Sequence, residues 1–222
     1  MIATPAIEPV AAPWRVRLFA DLAAELLERV GNPIERPAVL AVDGRSGSGK
    51  SSLADRLAAV IPGTAVVPTD DVAWWESFFG WDHLMTGGVL EPARRGAAVR
   101  FRPPAWETRG RAGAITVPAG TRLLIVEGVG ASRRSLAPLL DGSVWVQSDL
   151  AEARRRGIAR DGDDAAAAVF WEEWDAEELP FLATDRPWER AMTVVLGTPG
   201  SVRHDPATEV VVGRTLRPGA SE

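Results

Sequence analysis

The segment AVLAVDGRSGSGKSSLADRLAAVI, residues 38–61, constrains the fold more than any other. It opens on an apolar run, passes through a glycine-rich turn, and continues with Leu53, Leu57 and Ile61 at helical spacing. The turn, Gly44-Arg45-Ser46-Gly47-Ser48-Gly49-Lys50-Ser51, fits the pattern G-x-x-x-x-G-K-[ST]. The pattern alone can occur by chance. Between a buried strand and an apolar helix it specifies a phosphate-binding loop. The glycines let backbone N–H groups point inward around a phosphate, and the helix N-terminus adds partial positive charge. Of the 25 Lys and Arg residues only Lys50 is a lysine. Inside a tight phosphate loop a compact ammonium fits where a planar guanidinium does not. The candidate nucleotide-binding set is therefore Gly44, Ser46, Gly47, Ser48, Gly49, Lys50, Ser51 and Ser52, with Lys50 reaching the β- and γ-phosphates of ATP and the Ser51 hydroxyl ligating Mg²⁺.

The chain around this unit alternates. Apolar runs at 38–42, 64–68, 122–128, 143–147, 193–197 and 208–213 read as buried strands, several without polar alternation, as when helices cover both faces of a parallel sheet. Helical patterns lie at 50–61, 149–160 and 163–178. The expected fold is an α/β P-loop NTPase sandwich with a mostly parallel sheet. Residues 1–13 read as a flexible arm. Residues 14–31 read as an amphipathic helix stopped by Gly31-Asn32-Pro33. Residues 37–222 form the main domain. Within it, 72–118 break the rhythm with Trp, Phe, Arg, Gly and Pro, and read as a substrate-side insertion over the strand ends. Residues 150–178 read as a lid region.

Composition narrows the chemistry. A net charge of −5 argues against a nucleic-acid partner or an anionic membrane. With no cysteine, and with His83 and His204 far apart, a zinc centre is not expected. No apolar run is long enough to cross a bilayer, and residues 1–17 lack the charged start and apolar block of a secretory signal. The reading is a cytoplasmic protein, with homo-oligomerisation left open.

A guanine-reading Asn/Thr-Lys-x-Asp motif is impossible with one lysine, which removes switch GTPases. The second strand ends in VVPTDD, so acids stand where an incoming hydroxyl would meet the γ-phosphate. The loop GRSGSGKSS, TDD after the second strand, IVEG after the third, RRRGIARD at 154–161 and the late VVLGTP together resemble the uridine kinase-like family of P-loop kinases. The resemblance spans about residues 37–213. It implies that Asp70 is the base for the acceptor hydroxyl, that Glu127 helps hold magnesium beside Ser51 and Asp70, and that Arg156 and Arg160 close on the phosphates. Asp71 reads as a cap or a supporting partner.

The acceptor segment departs from the family. Asp70 is followed by Asp71-Val72-Ala73-Trp74 rather than an aromatic pair, and Pro104-Ala105-Trp106 replaces a Tyr-Asp-aromatic run. Trp74, Arg102, Trp106 and Arg109 are the candidate substrate contacts, set against a small core under the insertion and a solvated hairpin. Two functions follow. One is an ATP- and Mg²⁺-dependent kinase acting on a small hydroxyl acceptor, a nucleoside or similar metabolite. The other is a nucleotide-binding regulatory module without turnover. Acceptor-dependent ADP release separates them.

Overall fold

The computed structural model describes residues 2–162, 165–200 and 202–216. The start of the helix expected at 163 and the end of the domain past 216 lie outside these residues. In chain order the elements are β1 (Arg15–Leu18), α1 (Phe19–Val30), β2 (Ala38–Gly44), α2 (Lys50–Val60), β3 (Thr64–Pro68) and the short helices α3 (Thr69–Ala73), α4 (Asp82–Met85) and α5 (Glu91–Arg94). There follow β4 (Val99–Phe101), α6 (Pro104–Thr108), β5 (Ile115–Val117), β6 (Leu123–Glu127), β7 (Gly142–Gln147), α7 (Leu150–Asp161), α8 (Ala165–Asp185), β8 (Thr193–Leu196) and β9 (Glu209–Gly213).

Seven strands form one sheet in the order β1-β9-β8-β7-β2-β6-β3. The five from β8 to β3 are parallel, and β9 and β1 add an antiparallel edge. The fold is a P-loop NTPase α/β sandwich. Each of the six expected strands is present. Every residue of β2 is buried, because β6 and β7 flank it and apolar clusters cover both faces. On one face Leu40 and Val42 pack with Leu22 and Leu26 of α1 and Leu53 and Leu57 of α2. On the other, Val39 and Ala41 pack with the insertion's Trp81, Met85, Trp106 and Val117. All five parallel strands therefore end on one side, where α/β sheets place ligands.

Two expectations are corrected at the N-terminus. The helix begins at Phe19, not 14. Residues 15–18 alternate polar and apolar, a strand period, and pair with β9 in place of an open sheet edge. Residues 1–13 are not a loose arm over their described length. The Ala3 N–H donates to the Asp149 carboxylate (2.9 Å), and Glu8 is buried, accepting from Trp145 Nε1 and Gln147 Nε2 (2.7 Å each). A buried polar side chain needs such partners, and β7 supplies them. Within the insertion, β4 and β5 make a two-stranded antiparallel ribbon. No helix among the described residues is long and apolar enough to cross a membrane.

Candidate functional site

The glycine-rich loop leaves β2 and enters α2 at Lys50. Two of its glycines are obligatory. Gly49, with φ +99°, is the left-handed residue that turns the chain into the helix. Gly47, with φ +71°, lies so near α7 that a Cβ there would sit 2.0 Å from the Ala153 carbonyl oxygen. The loop is thus pressed against α7 as well as anchored to the sheet. Lys50 is buried, and its Nζ donates to the Arg45 carbonyl (3.0 Å), spanning the loop it belongs to.

Glu127 ends β6, the parallel neighbour of β2, and its Oε1 accepts from Ser51 Oγ (3.2 Å). Burial pushes the Glu127 carboxyl above its ordinary range; Lys50 opposes that rise and Asp70 adds to it. Asp70 lies exposed in the first turn of α3, directly after β3, on the other side of β6. A cavity of about 140 Å³ joins these groups: Lys50, Ser51, Asp70, Glu127 and Arg160 line it together with Phe170 and Trp174 of α8. Adjacent parallel strands bring together residues about 20 and 77 positions away from Lys50 in the chain. Oxygen donors from Ser51, Glu127 and Asp70, completed by phosphate oxygens, suit Mg²⁺, which is bound by few protein groups and keeps its substrate and water ligands. Among the described residues no cluster of three or more His, Cys, Asp or Glu could hold a metal alone.

The two lid arginines part company. Arg160, ion-paired with Asp161 (2.7 Å), borders the Asp70 cavity. Arg156, held by Glu152 (2.8 Å), donates to the Gly197 carbonyl (2.9 Å). It borders a second cavity of about 180 Å³ with Gly49, Ser52, Gly197 and His204, beyond the loop's other side. Although only four residues apart on α7, they border different cavities beside the loop.

The candidate substrate contacts in the insertion do not line the Asp70 cavity. Trp106 is buried and its Nε1 donates to the Asp71 carbonyl (2.9 Å). Arg111 ion-pairs with the Asp71 carboxylate and lies over Trp106 (3.8 Å). Arg109 lies over Trp75 (3.6 Å), and Arg102 donates to the carbonyls of Gly113 and Arg111. Trp74 packs edge-on to Trp75, with Arg111 over its ring. These groups satisfy one another, so Asp71 is a tie to the insertion rather than a helix cap; α3 has no side-chain cap. Phe78 and Phe79 join a seam with α8, Phe79 stacked on Phe181 at 4.1 Å and Phe78 edge-on to Trp174 at 5.2 Å.

Sequence reasoning missed four contributors. Asp43, fully buried, accepts from the N–H groups of Gly44, Gly130 and Ser132 and from Ser132 Oγ, at 2.7–2.9 Å, pinning the turn after β6 beside the phosphate loop. An acid inside an otherwise apolar strand was its signal. Phe170 and Trp174 form the far wall, and Glu178 holds the loop from α8. Their signal was weaker: acids and aromatics within a helix apolar on several sides.

No family model and no curated protein matches the sequence. The fold and loop define a P-loop protein, and one solved structure shares the fold. The structure of a possible uridine kinase from Bacillus stearothermophilus superposes with a TM-score of 0.51 at 21% identity, over 79% of this chain and 95% of that one. A putative fructose transport system kinase from Silicibacter sp. TM1040 superposes with a TM-score of 0.48 at 19% identity, over 76% of this chain and 89% of that one. At such identity the first likeness establishes the shared α/β fold alone.

Proposed function

We propose that this chain is a cytoplasmic, ATP- and Mg²⁺-dependent phosphotransferase that moves the γ-phosphoryl group of ATP to a hydroxyl of a small molecule, a nucleoside or similar metabolite. The observation that carries the reading is the meeting of Lys50, Ser51, Glu127 and Asp70 on one cavity at the ends of three adjacent parallel strands. The loop N–H groups and Lys50 hold the β- and γ-phosphates. The Arg156 cavity beside Gly197 takes the base end of the nucleotide. Ser51 and Glu127, with Asp70, would hold Mg²⁺, which when bound supplies charge neutralisation at the phosphates.

Asp70 takes the proton of the acceptor hydroxyl. The acceptor oxygen bonds to the γ-phosphorus, the bond from that phosphorus to the bridging oxygen breaks, and ADP leaves with its electron pair. Lys50 and Arg160 stabilise charge moving onto the transferred group and the bridging oxygen. With a net charge of −5, no nucleic-acid partner is proposed.

The self-satisfied insertion favours a second reading, a nucleotide-binding module without turnover. ADP release measured across nucleosides, sugars and vitamins with hydroxyl groups decides between them. At least one acceptor should raise ADP release well above the acceptor-free rate, and Asp70→Asn should abolish that increment. ATP binding with no acceptor-dependent release from any compound would establish the module instead.

A further inference from the structure

Glu178 is the strongest feature that the proposed chemistry does not use. It lies in α8, one turn after Trp174, yet its carboxylate reaches the phosphate loop. Its Oε1 accepts the Ser46 N–H at 2.8 Å, and its Oε2 pairs with the Arg45 guanidinium at 3.1 Å. The side chains of Arg45 and Glu178 are 6% and 1% exposed, so this pair is sealed from water. It is also the only ion pair of Arg45 among the described residues, and the Nε and Nη1 of Arg45 have no hydrogen-bond partner there.

We propose that Glu178 is a positioning residue for the phosphate loop: through Ser46 and Arg45 it holds the peptide whose carbonyl anchors Lys50. The proposal rests on the nucleotide-site reading above, but not on any acceptor. Three facts support it. The Arg45 carbonyl accepts Lys50 Nζ, so the residue clamped by Glu178 is the one against which the ammonium is set. Neither Arg45 nor Glu178 lines the cavity at Ser46 and Lys50, so the clamp lies behind the loop and does not occupy the place of a phosphate. A buried guanidinium that loses its one carboxylate is left as an uncompensated charge, a strain that falls on the loop residue that carries it. The same helix presents Phe170 and Trp174 to the Asp70 cavity, so one element braces the loop and walls the acceptor side.

The test compares wild type with Glu178→Gln and Glu178→Ala, each held well below its own melting temperature, by calorimetric titration with Mg-ATP and with inorganic tripolyphosphate. Glu178→Ala removes both contacts, and its dissociation constants should rise by about 10-fold to 100-fold, as expected when a charged hydrogen-bonding group is lost. Glu178→Gln keeps an acceptor for the Ser46 N–H but leaves the Arg45 guanidinium without its carboxylate, so it should recover only part of that loss, with dissociation constants at least about 3-fold above wild type and below those of Glu178→Ala. The loss should be equal for ATP and tripolyphosphate, because it acts at the loop and not at the base. Should Glu178→Ala fail to fold, Glu178→Gln still decides: it must weaken tripolyphosphate binding measurably. A lowered melting temperature with wild-type affinity in the variants would overturn the proposal and leave Glu178 a packing residue. Tighter binding would overturn it too, since Glu178 would then compete with phosphate. If wild type binds either ligand but releases no ADP with any acceptor, the transferase reading fails while this one stands; if it binds neither, both fail.

Discussion

On the phosphate side, Lys50, Ser51, Glu127 and Asp70 converge on a shared cavity, tied to one another by a single contact of 3.2 Å between Ser51 and Glu127. On the insertion side, Asp71, Arg102, Trp106, Arg109 and Arg111 are just as polar and aromatic, yet they bind one another. Asp70 and Asp71 are neighbours in sequence and fall on opposite sides of this divide. The difference teaches that residue type does not make a site. Groups with few internal partners that line a cavity at the sheet's ligand end are available to a ligand, whereas groups that complete each other's hydrogen bonds hold an insertion in shape.

That contrast can be broken by substitution. Lys50→Ala should give the largest effect, turnover below detection and ATP binding weakened on the order of 100-fold through loss of charge-assisted contacts, with little change in melting temperature. Wild-type ATP binding by calorimetry would remove the phosphate-loop reading. Asp70→Asn keeps size and one acceptor oxygen but cannot take a proton. It should lower kcat with the true acceptor by about 10² to 10⁴, the usual value of general-base help, while ATP affinity changes only severalfold. Asp71→Asn should lose stability rather than chemistry, so full turnover in Asp70→Asn alongside lost turnover in Asp71→Asn would exchange the roles of the two acids.

Trp106→Ala tests the other side. Truncating a buried tryptophan costs about 3–5 kcal/mol, so its denaturant midpoint should fall sharply while the folded fraction keeps wild-type affinity for ATP. A specific loss of acceptor affinity at unchanged stability would return Trp106 to the substrate site. Next in size are the two arginines. Arg160→Ala should lower kcat by about 10-fold, having lost a charge beside the transferred group. Arg156→Ala should chiefly raise the KM for ATP, since it borders the Gly197 cavity. Identical kinetic signatures would mean that both meet the same group after all.

The smallest effect is in pH dependence. Burial raises the carboxyls of Glu8 and Glu127 above their ordinary range. Each therefore holds its proton more tightly in the folded chain than in the unfolded one. That favours the folded state at low pH, and the contribution is lost as pH rises through the folded values. The melting temperature of the nucleotide-free protein should fall as pH rises above the ordinary glutamate value of about 4.3. Glu127→Gln, which cannot ionise, should show a shallower fall, and an unchanged slope would show that Glu127 is not held protonated.

By itself the sequence determined the strand–loop–helix of residues 38–61, the five parallel strands of the sheet and its β9 edge, and the acids that follow β3 and end β6. These follow from local periodicity and from glycine conformations that no other residue adopts at the required φ, so the information lies within a few residues of where it acts. Asp70 and Glu127 were legible because strand ends in a parallel sheet must meet at one edge. The tertiary structure alone decided the rest. Whether Trp106 and Arg109 face a cavity or each other depends on how a 47-residue insertion closes on itself, which no short window encodes. Arg156 and Arg160 are separated by where α7 crosses the loop, not by their spacing. Glu178 lies 132 positions from Ser46, and its role exists only because α8 packs behind the phosphate loop and excludes water from the contact.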